Sequence, residues 1–195
     1  MLIDKVTALG PAHTVLVTAA TGGVGRLLCQ AAQAAGARVI GSVSTPQKAE
    51  SARDYGCAHA LTYDQDNFLE EIRDLTQGNG VDIAYDSVGA KTFQNSLSAL
   101  RVRGHLVNFG QSSGAVDPIV LSELAAKSLS VTRPILFHYI SDPVEYRAMS
   151  AAAFSAFDAG TLVLPDLTAV DLADAAAAHR RLESGQGGGS LYLAP

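Results

Sequence analysis

The chain has 195 residues, of which 48% are hydrophobic and 17% charged, with a net charge of -5 at pH 7. This length and composition fit one large globular domain, or one domain with an appendage, and exclude a disordered chain. The acidic balance argues against a nucleic-acid partner, and no apolar run is long enough for a membrane helix.

The first part of the chain predicts alternating strands and helices. The apolar run TVLVT (14–18) is typical of a strand buried on both faces, and a glycine-rich turn and a helix follow it. A second strand (37–43) leads into a helix with Thr45 at its N-cap, and a short third strand covers 58–63. This alternation predicts a parallel sheet with right-handed crossovers.

The alternation continues with a helix over 67–78, and the next three strands are predicted at 81–88, 104–110 and 128–133. Two halves of three strands each predict an α/β, doubly wound, six-stranded Rossmann fold. After the sixth strand the pattern changes to a helix, the segment LPDLTAVDL, a second helix, a glycine-rich turn and the strand LYLAP. We therefore expect a dinucleotide-binding domain over 1–162 and a segment of a different domain over 163–195.

The stretch AATGGVG (19–25) places three glycines directly after the first strand. Backbone N–H groups at a helix N-terminus bind phosphate closely where no side chain intervenes, so Gly22 and Gly23 are expected to face a pyrophosphate. Gly25 would let the helix pack against the first strand. Ala20 stands where a dinucleotide fingerprint has its first glycine, and alanine can make that turn if its φ stays negative. An ordinary strand–helix connection is the alternative, and the complete alternating unit favours dinucleotide binding.

The end of the second strand indicates NADPH rather than NADH. NAD-preferring sites place an acidic residue there, whereas this chain has Ser42, Ser44 and Thr45, with no carboxylate until Glu50. Lys48 follows on the first turn of the next helix, where it would attract a 2′-phosphate. A solvated surface charge is the alternative for Lys48.

The two cysteines, Cys29 and Cys57, and the five histidines show no metal-ligand spacing. We therefore expect no disulfide framework and no metal site. The N-terminus also lacks the features of a signal peptide, and two buried thiols are typical of a reducing compartment. These observations predict a cytoplasmic protein.

Five motifs carry a resemblance to a known family: VLVTAATGGVG, IGSVSTPQKAESARDYG, YDSVG, NFGQSSGAV and VTRP. In this order and spacing they closely resemble the quinone oxidoreductase (zeta-crystallin-like) branch of the zinc-free medium-chain dehydrogenases/reductases. The resemblance implies NADPH-dependent hydride transfer to quinones or conjugated carbonyls. It also implies an upstream GroES-like substrate domain, of which 163–195 would be the last segment and 1–12 the end of the connecting helix. The chain would then be a cofactor half that binds NADPH and turns over quinones poorly.

The resemblance also implies roles for single residues, and none of them is a catalytic acid, base or nucleophile. The residues expected to contact the cofactor are Gly22, Gly23, Val24 and Gly25 at the pyrophosphate, Ser44, Thr45 and Lys48 at the 2′-phosphate, Tyr63 at the adenosine, Ser87 and Val88 across the sheet crevice, and Phe109, Gly110, Gln111, Ser112, Pro134, Ile135 and Leu136 around the nicotinamide.

Several of these residues also have plain structural interpretations. Tyr63 could end a strand, Phe109 could be core, and Asp86 and Ser87 could cap a turn. Relatives often carry an arginine in the turn before the final strand, where this chain has Gly185; Arg180 or Arg181 could substitute for it.

Other functions and partners stay open at this point. An enoyl-thioester reductase module of a larger synthase, or a non-catalytic NADPH-binding module, would share every motif. A short-chain reductase is excluded because no Tyr-x-x-x-Lys is present. The sixth strand falls at a sheet edge with no proline or lysine in its middle, and the resemblance implies homodimerisation through 128–133. A monomer whose edge is covered by 134–141 is the alternative.

Overall fold

The computed structural model describes residues 1–164, 167–184 and 190–195. These residues form two units, Met1–Thr161 (the first unit) and Leu162–Pro195 (the second unit). Within the described ranges, the helices are too short or too polar to cross a membrane.

The first unit is built on a six-stranded sheet. Its strands are β1 (Thr14–Thr18), β2 (Arg38–Val43), β3 (His59–Thr62), β4 (Val81–Asp86), β5 (Leu100–Asn108) and β6 (Ser130–Thr132). Every neighbouring pair is parallel, and the order is β3-β2-β1-β4-β5-β6. The strand order reverses direction between β1 and β4, which is the topological switch point of a doubly wound fold. The predicted fold class is confirmed.

Helices connect the strands, and their ends follow local sequence signals. They are α1 (Gly23–Ala34), α2 (Pro46–Asp54), α3 (Phe68–Leu75), α4 (Phe93–Ala99), α5 (Leu121–Ala125), α6 (Leu136–Tyr139) and α7 (Pro143–Asp158). The Thr45 side chain caps α2 by accepting from the backbone N–H of Lys48, with Pro46 at the first helical position. The short helices α5 and α6 were not predicted, because neither is long enough to show a helical period.

The core lies on both faces of the sheet. One face buries Val15, Val17 and Tyr85, and the other buries Leu16 and Leu106. A short π-type helical turn, Leu2–Val6, packs against the first of these clusters. The Tyr85 hydroxyl is hydrogen-bonded to Thr7 Oγ1 at 2.5 Å, and burial raises the pKa of Tyr85 to about 12. The N-terminal turn is therefore part of the first unit's core packing.

Strand β5 begins earlier than its sequence predicts. The spacing of Phe93, Leu97 and Leu100 in the sequence predicts a helix that includes Leu100. In the structure Leu100 is wholly buried and pairs with Val81 as the first residue of β5. The register then shifts between Val81 and Ile83, and Arg103 takes a φ of 62°. A bulge of this kind leaves no regular alternation in the sequence, so the predicted strand began only at Gly104.

The second unit contains a two-stranded sheet. Strand β7 (Leu167–Asp171) lies within the segment LPDLTAVDL, for which no strand was predicted, and pairs in parallel with β8 (Ser190–Ala194). Helix α8 (Ala175–Glu183), which carries Arg180 and Arg181, follows a single 3-10 turn. Gly185, where relatives often carry an arginine, lies outside the described residues. The assignment of 163–195 to a substrate domain stays a prediction.

Candidate cofactor site

The candidate cofactor residues follow the carboxyl ends of all six strands of the first unit. Because the strands are parallel, these ends share one edge of the sheet. Gly22, Gly23, Val24 and Gly25 follow β1, Ser44, Thr45 and Lys48 follow β2, Tyr63 follows β3, Ser87 and Val88 follow β4, Phe109, Gly110, Gln111 and Ser112 follow β5, and Pro134, Ile135 and Leu136 follow β6.

The turn after β1 is closed around the carbonyl of Ala19. Ala19 takes a left-handed φ of 49°, and its oxygen accepts from the N–H of Gly22 at 2.8 Å. A Cβ on Gly25 would lie 2.1 Å from the same oxygen, so only glycine fits there. Ala20 is not among the residues with positive φ and is wholly buried. Alanine is therefore tolerated at position 20 in place of the fingerprint's glycine, because the residue of this turn that takes a left-handed φ is Ala19.

The first turn of α1 is open at its N-terminus. Gly22 is the N-cap and supplies no side-chain hydrogen bond, so the turn's N–H groups have no side-chain cap. A Cβ on Gly23 would meet nothing within 4 Å, and Val24 is 57% exposed. The positive end of the helix dipole faces this space. An anion such as a pyrophosphate can therefore approach the backbone here.

A hydroxyl and amine cluster lies at the end of β2. Lys48 Nζ donates to Ser44 Oγ at 3.2 Å, and the Lys48 backbone N–H donates to Thr45 Oγ1 at 3.4 Å. Ser42 is wholly buried and its Oγ has no hydrogen-bond partner, so the hydroxyl that the sequence grouped with these residues lies inside the sheet. The exposed Glu50 is the first carboxylate after β2. The cluster can therefore offer a cation and two hydroxyls to a phosphate.

Tyr63 extends the edge beyond β3. Its backbone N–H donates to the Val43 carbonyl at 3.1 Å, which continues the pairing of β2 and β3. The side chain is half-buried, and partial burial together with the neighbouring Asp64 carboxylate raises the pKa of Tyr63. The phenol therefore stays protonated and can donate a hydrogen bond.

A buried carboxylate organises the turn after β4. Asp86 is wholly buried, and one of its oxygens accepts from the backbone N–H groups of Val88 and Gly89, each at 2.9 Å. The hydroxyl of Thr92 donates to both carboxylate oxygens, and that of Ser96 donates to the second at 2.9 Å. The Asp86 side chain therefore caps the turn after β4, which is its plain structural interpretation from the sequence.

The turns after β4 and β5 are joined by backbone hydrogen bonds. The N–H of Ser112 donates to the Ser87 carbonyl at 3.2 Å, and the N–H of Ser113 donates to the Val88 carbonyl at 2.8 Å. A Cβ on Gly110 would lie 2.7 Å from the Ser87 oxygen, so the two turns approach too closely for a side chain there. The structure thus brings Ser87 and Val88 together with Gly110–Ser112 in one platform (the 87–112 platform).

The remaining candidates are apolar, and all but Pro134 are at least partly exposed. Phe109 is half-buried and packs against the core cluster that contains Val17 and Tyr85, so its core interpretation also holds. After β6, Pro134 is buried, whereas Ile135 and Leu136 are 40% and 50% exposed.

Sequence reasoning did not single out Ala19, or the hydroxyls that bind Asp86 and the turn after β4. Thr18 Oγ1 accepts from the N–H of Ser87 at 3.0 Å, and Ser113 Oγ donates to the Val88 carbonyl at 2.7 Å. A signal exists for the Asp86 network: an aspartate at a strand end, a glycine three residues later, and hydroxyls six and ten residues later.

Metal-ligating side chains do not gather in the described part of the chain. No group of three or more His, Cys, Asp and Glu side chains there could hold a metal ion. Cys29 and Cys57 contact each other and are both buried.

Known proteins resemble this chain closely. Residues 23–155 match the family model described as zinc-binding dehydrogenase. A 2-haloacrylate reductase from Burkholderia sp is 42% identical, over 100% of this chain and 59% of that protein. The crystal structure of Escherichia coli quinone oxidoreductase complexed with NADPH is 40% identical with a TM-score of 0.93, over 100% of this chain and 60% of that one. These matches confirm the resemblance carried by the five motifs, and the chain spans about 60% of the length of these relatives.

A weaker match bears on the synthase alternative. Phthioceranic/hydroxyphthioceranic acid synthase from Mycobacterium tuberculosis is 29% identical, over 98% of this chain and 9% of that protein.

Proposed function

The chain belongs to the zinc-binding dehydrogenase family, and from this membership we propose that it is the NADPH-binding part of a quinone oxidoreductase-type enzyme. The observation that carries the proposal is the open first turn of α1, where a Cβ on Gly23 would meet nothing within 4 Å. It lies on the same sheet edge as the Ser44 and Lys48 cluster. The NADPH complex of the Escherichia coli relative supports this choice of cofactor.

Each part of the sheet edge has a distinct task in this proposal. The N–H groups of the first turn of α1 bind the pyrophosphate, and Ser44, Thr45 and Lys48 bind the 2′-phosphate. The 87–112 platform positions the nicotinamide ring, which when bound supplies the hydride. Asp86 acts at a distance, by keeping the turn after β4 in place. Catalysis by these residues is therefore positioning and exclusion of water rather than proton transfer.

The zinc of the family name does not fit the residues described here. The two buried cysteines lack a third metal-ligating side chain beside them in the described ranges, so this pair does not make a zinc site. We also place the chain in the cytoplasm, where free thiols such as these stay reduced.

Cofactor preference provides the direct experiment. We expect NADPH to bind more tightly than NADH, and Lys48→Ala to weaken NADPH binding by about tenfold or more, because a charged hydrogen bond contributes about 1.5–3 kcal/mol. Fluorescence titration of both cofactors measures this. Arg73→Ala, which removes an exposed cation on α3, is the control and should bind both cofactors like the parent chain. Equal affinity for the two cofactors, or an unchanged NADPH affinity in Lys48→Ala, would contradict the proposal.

We propose quinones or conjugated carbonyls as the substrates of the whole enzyme, and 2-haloacrylate reductase among the relatives supports the wider class. The isolated chain should bind NADPH yet oxidise it slowly in the presence of a quinone, because Ile135 and Leu136, which would border the nicotinamide, are exposed and would not exclude water from it. NADPH absorbance measures this turnover, with a full-length relative as the positive control. Rapid quinone reduction by the isolated chain would show that the substrate site lies within it. The synthase match supports the alternative of a reductase module in a larger synthase, and at 29% identity it supports this more weakly than the reductase matches support a quinone oxidoreductase.

We propose that a second copy of the chain pairs with β6. This strand lies at the edge of the sheet, with Leu129 and Val131 packed against the core face and Ser130 exposed. Size exclusion with light scattering should give a dimer, and Val131→Pro should shift it towards monomer because a proline in the middle of this edge strand has no N–H and disturbs strand pairing. Val131→Thr keeps the N–H and the branched shape and should remain dimeric. A monomer at high micromolar concentration would exclude this interface.

A further inference from the structure

The two cysteines of the chain meet in the core of the first unit, and the proposed function gives neither of them a role. Cys29 lies in the middle of α1 and is wholly buried, whereas Cys57 lies between α2 and β3 and is 5% exposed. Their sulfur atoms are 3.5 Å apart, although 28 positions separate the residues in the sequence. Both are free thiols.

The Cys57 sulfur lies against Gly41 of β2. A Cβ on Gly41 would lie 2.7 Å from Cys57 Sγ and 2.9 Å from the Ala20 side chain, so the missing side chain of Gly41 makes room for this thiol. Cys29 packs in the same buried cluster. The neighbouring thiol, together with burial, raises the pKa of Cys29, which stays protonated. Both residues are buried, and of the two only Cys57 has a nonzero exposed fraction.

We propose that Cys29 and Cys57 form a reversible intrachain disulfide when the chain meets a hydroperoxide. A disulfide bond is about 2.05 Å long, so the two sulfurs must approach by about 1.5 Å, a movement on the scale of side-chain rotation and small backbone adjustment. The pair is thus a modification site with the oxidisable and the resolving thiol already in contact.

The chemistry has two balanced steps. The Cys57 sulfur attacks one peroxide oxygen as its thiol gives up a proton, the O–O bond breaks, and the departing oxygen takes up that proton and leaves as water or an alcohol. The Cys57 sulfenic acid is then attacked by the sulfur of Cys29. The S–O bond breaks, the S–S bond forms, and the hydroxide leaves as water with the proton of Cys29. The two thiols lose two electrons in total, and the peroxide gains them.

The contact between the two thiols protects Cys57 from irreversible oxidation. A resolving thiol in contact converts sulfenic acid to a disulfide before a second peroxide can oxidise it irreversibly to sulfinic acid. The disulfide also ties α1 to the connection between α2 and β3. Oxidation is then reversible by a dithiol reductant.

Thiol counting on the whole chain tests this directly. After treatment with hydrogen peroxide and unfolding in denaturant, the parent chain should lose both titratable thiols, and its mass should fall by two hydrogen atoms. Dithiothreitol should restore both thiols. None of these measurements depends on NADPH binding, so a failure here is separate from a failure of the proposed function.

Two variants assign the order of the steps. Cys29→Ala should stop at the Cys57 sulfenic acid, which dimedone traps, and should form no intrachain disulfide. Cys57→Ala should give no dimedone adduct under the same conditions, because Cys29 is wholly buried. The proposal is overturned if the parent chain only gains oxygen atoms, if the disulfide links two chains, or if both thiols survive peroxide that oxidises the urea-unfolded chain.

Discussion

Asp86→Ala should destabilise the first unit by about 3 kcal/mol or more, because it removes the acceptor of a fully buried hydrogen-bond network. Two backbone N–H groups and the hydroxyls of Thr92 and Ser96 now bind this carboxylate. In the variant these donors stay buried without a partner, and each costs about 1–3 kcal/mol unless water enters. Urea denaturation followed by circular dichroism measures the loss.

Two controls separate the network from a general effect of losing a carboxylate. Asp86→Asn keeps one carbonyl oxygen and should be intermediate in stability. Asp117→Ala removes an exposed carboxylate and should change the stability by less than about 0.5 kcal/mol. Equal stability of Asp86→Ala and the parent chain would mean that the turn after β4 does not depend on this network.

Gly25→Ala and Gly23→Ala should have opposite effects, although the two glycines are separated by one residue. A Cβ at Gly25 would lie 2.1 Å from the Ala19 oxygen, so the backbone must move and we expect a loss of about 3 kcal/mol. A Cβ at Gly23 meets nothing within 4 Å, and alanine there should raise the stability by up to about 1 kcal/mol.

The affinity for NADPH is the second property in which Gly23→Ala should differ from the parent chain. The Gly23→Ala methyl group would occupy the space in front of the first turn of α1, so NADPH should bind about tenfold more weakly or worse to a chain that is fully folded. Thermal unfolding and fluorescence titration on the same samples separate the two effects. Unchanged NADPH affinity in Gly23→Ala would show that the phosphates do not approach this turn, and an undamaged Gly25→Ala would contradict the packing at Ala19.

The amino-acid sequence determined the alternation of strands and helices, the α2 cap and the edge of the sheet that carries the candidate site. These follow from local rules. Continuous apolar runs predict buried parallel strands, a threonine before a proline predicts a helix start, and parallel strands bring their carboxyl ends to one edge. The interpretation of Ala20 also needed only local reasoning, since alanine tolerates a turn with negative φ.

Only the tertiary structure decided which distant groups meet. The Cys29 and Cys57 sulfurs come to 3.5 Å, and Ser42 is buried in the sheet away from the hydroxyl cluster. None of these contacts follows from periodicity, because they depend on how elements far apart in the chain pack against a common sheet. The same holds for Leu100, where pairing with Val81 and a bulge override the helical spacing. Local patterns therefore determined the elements and their order, while packing across the sheet decided which side chains act together.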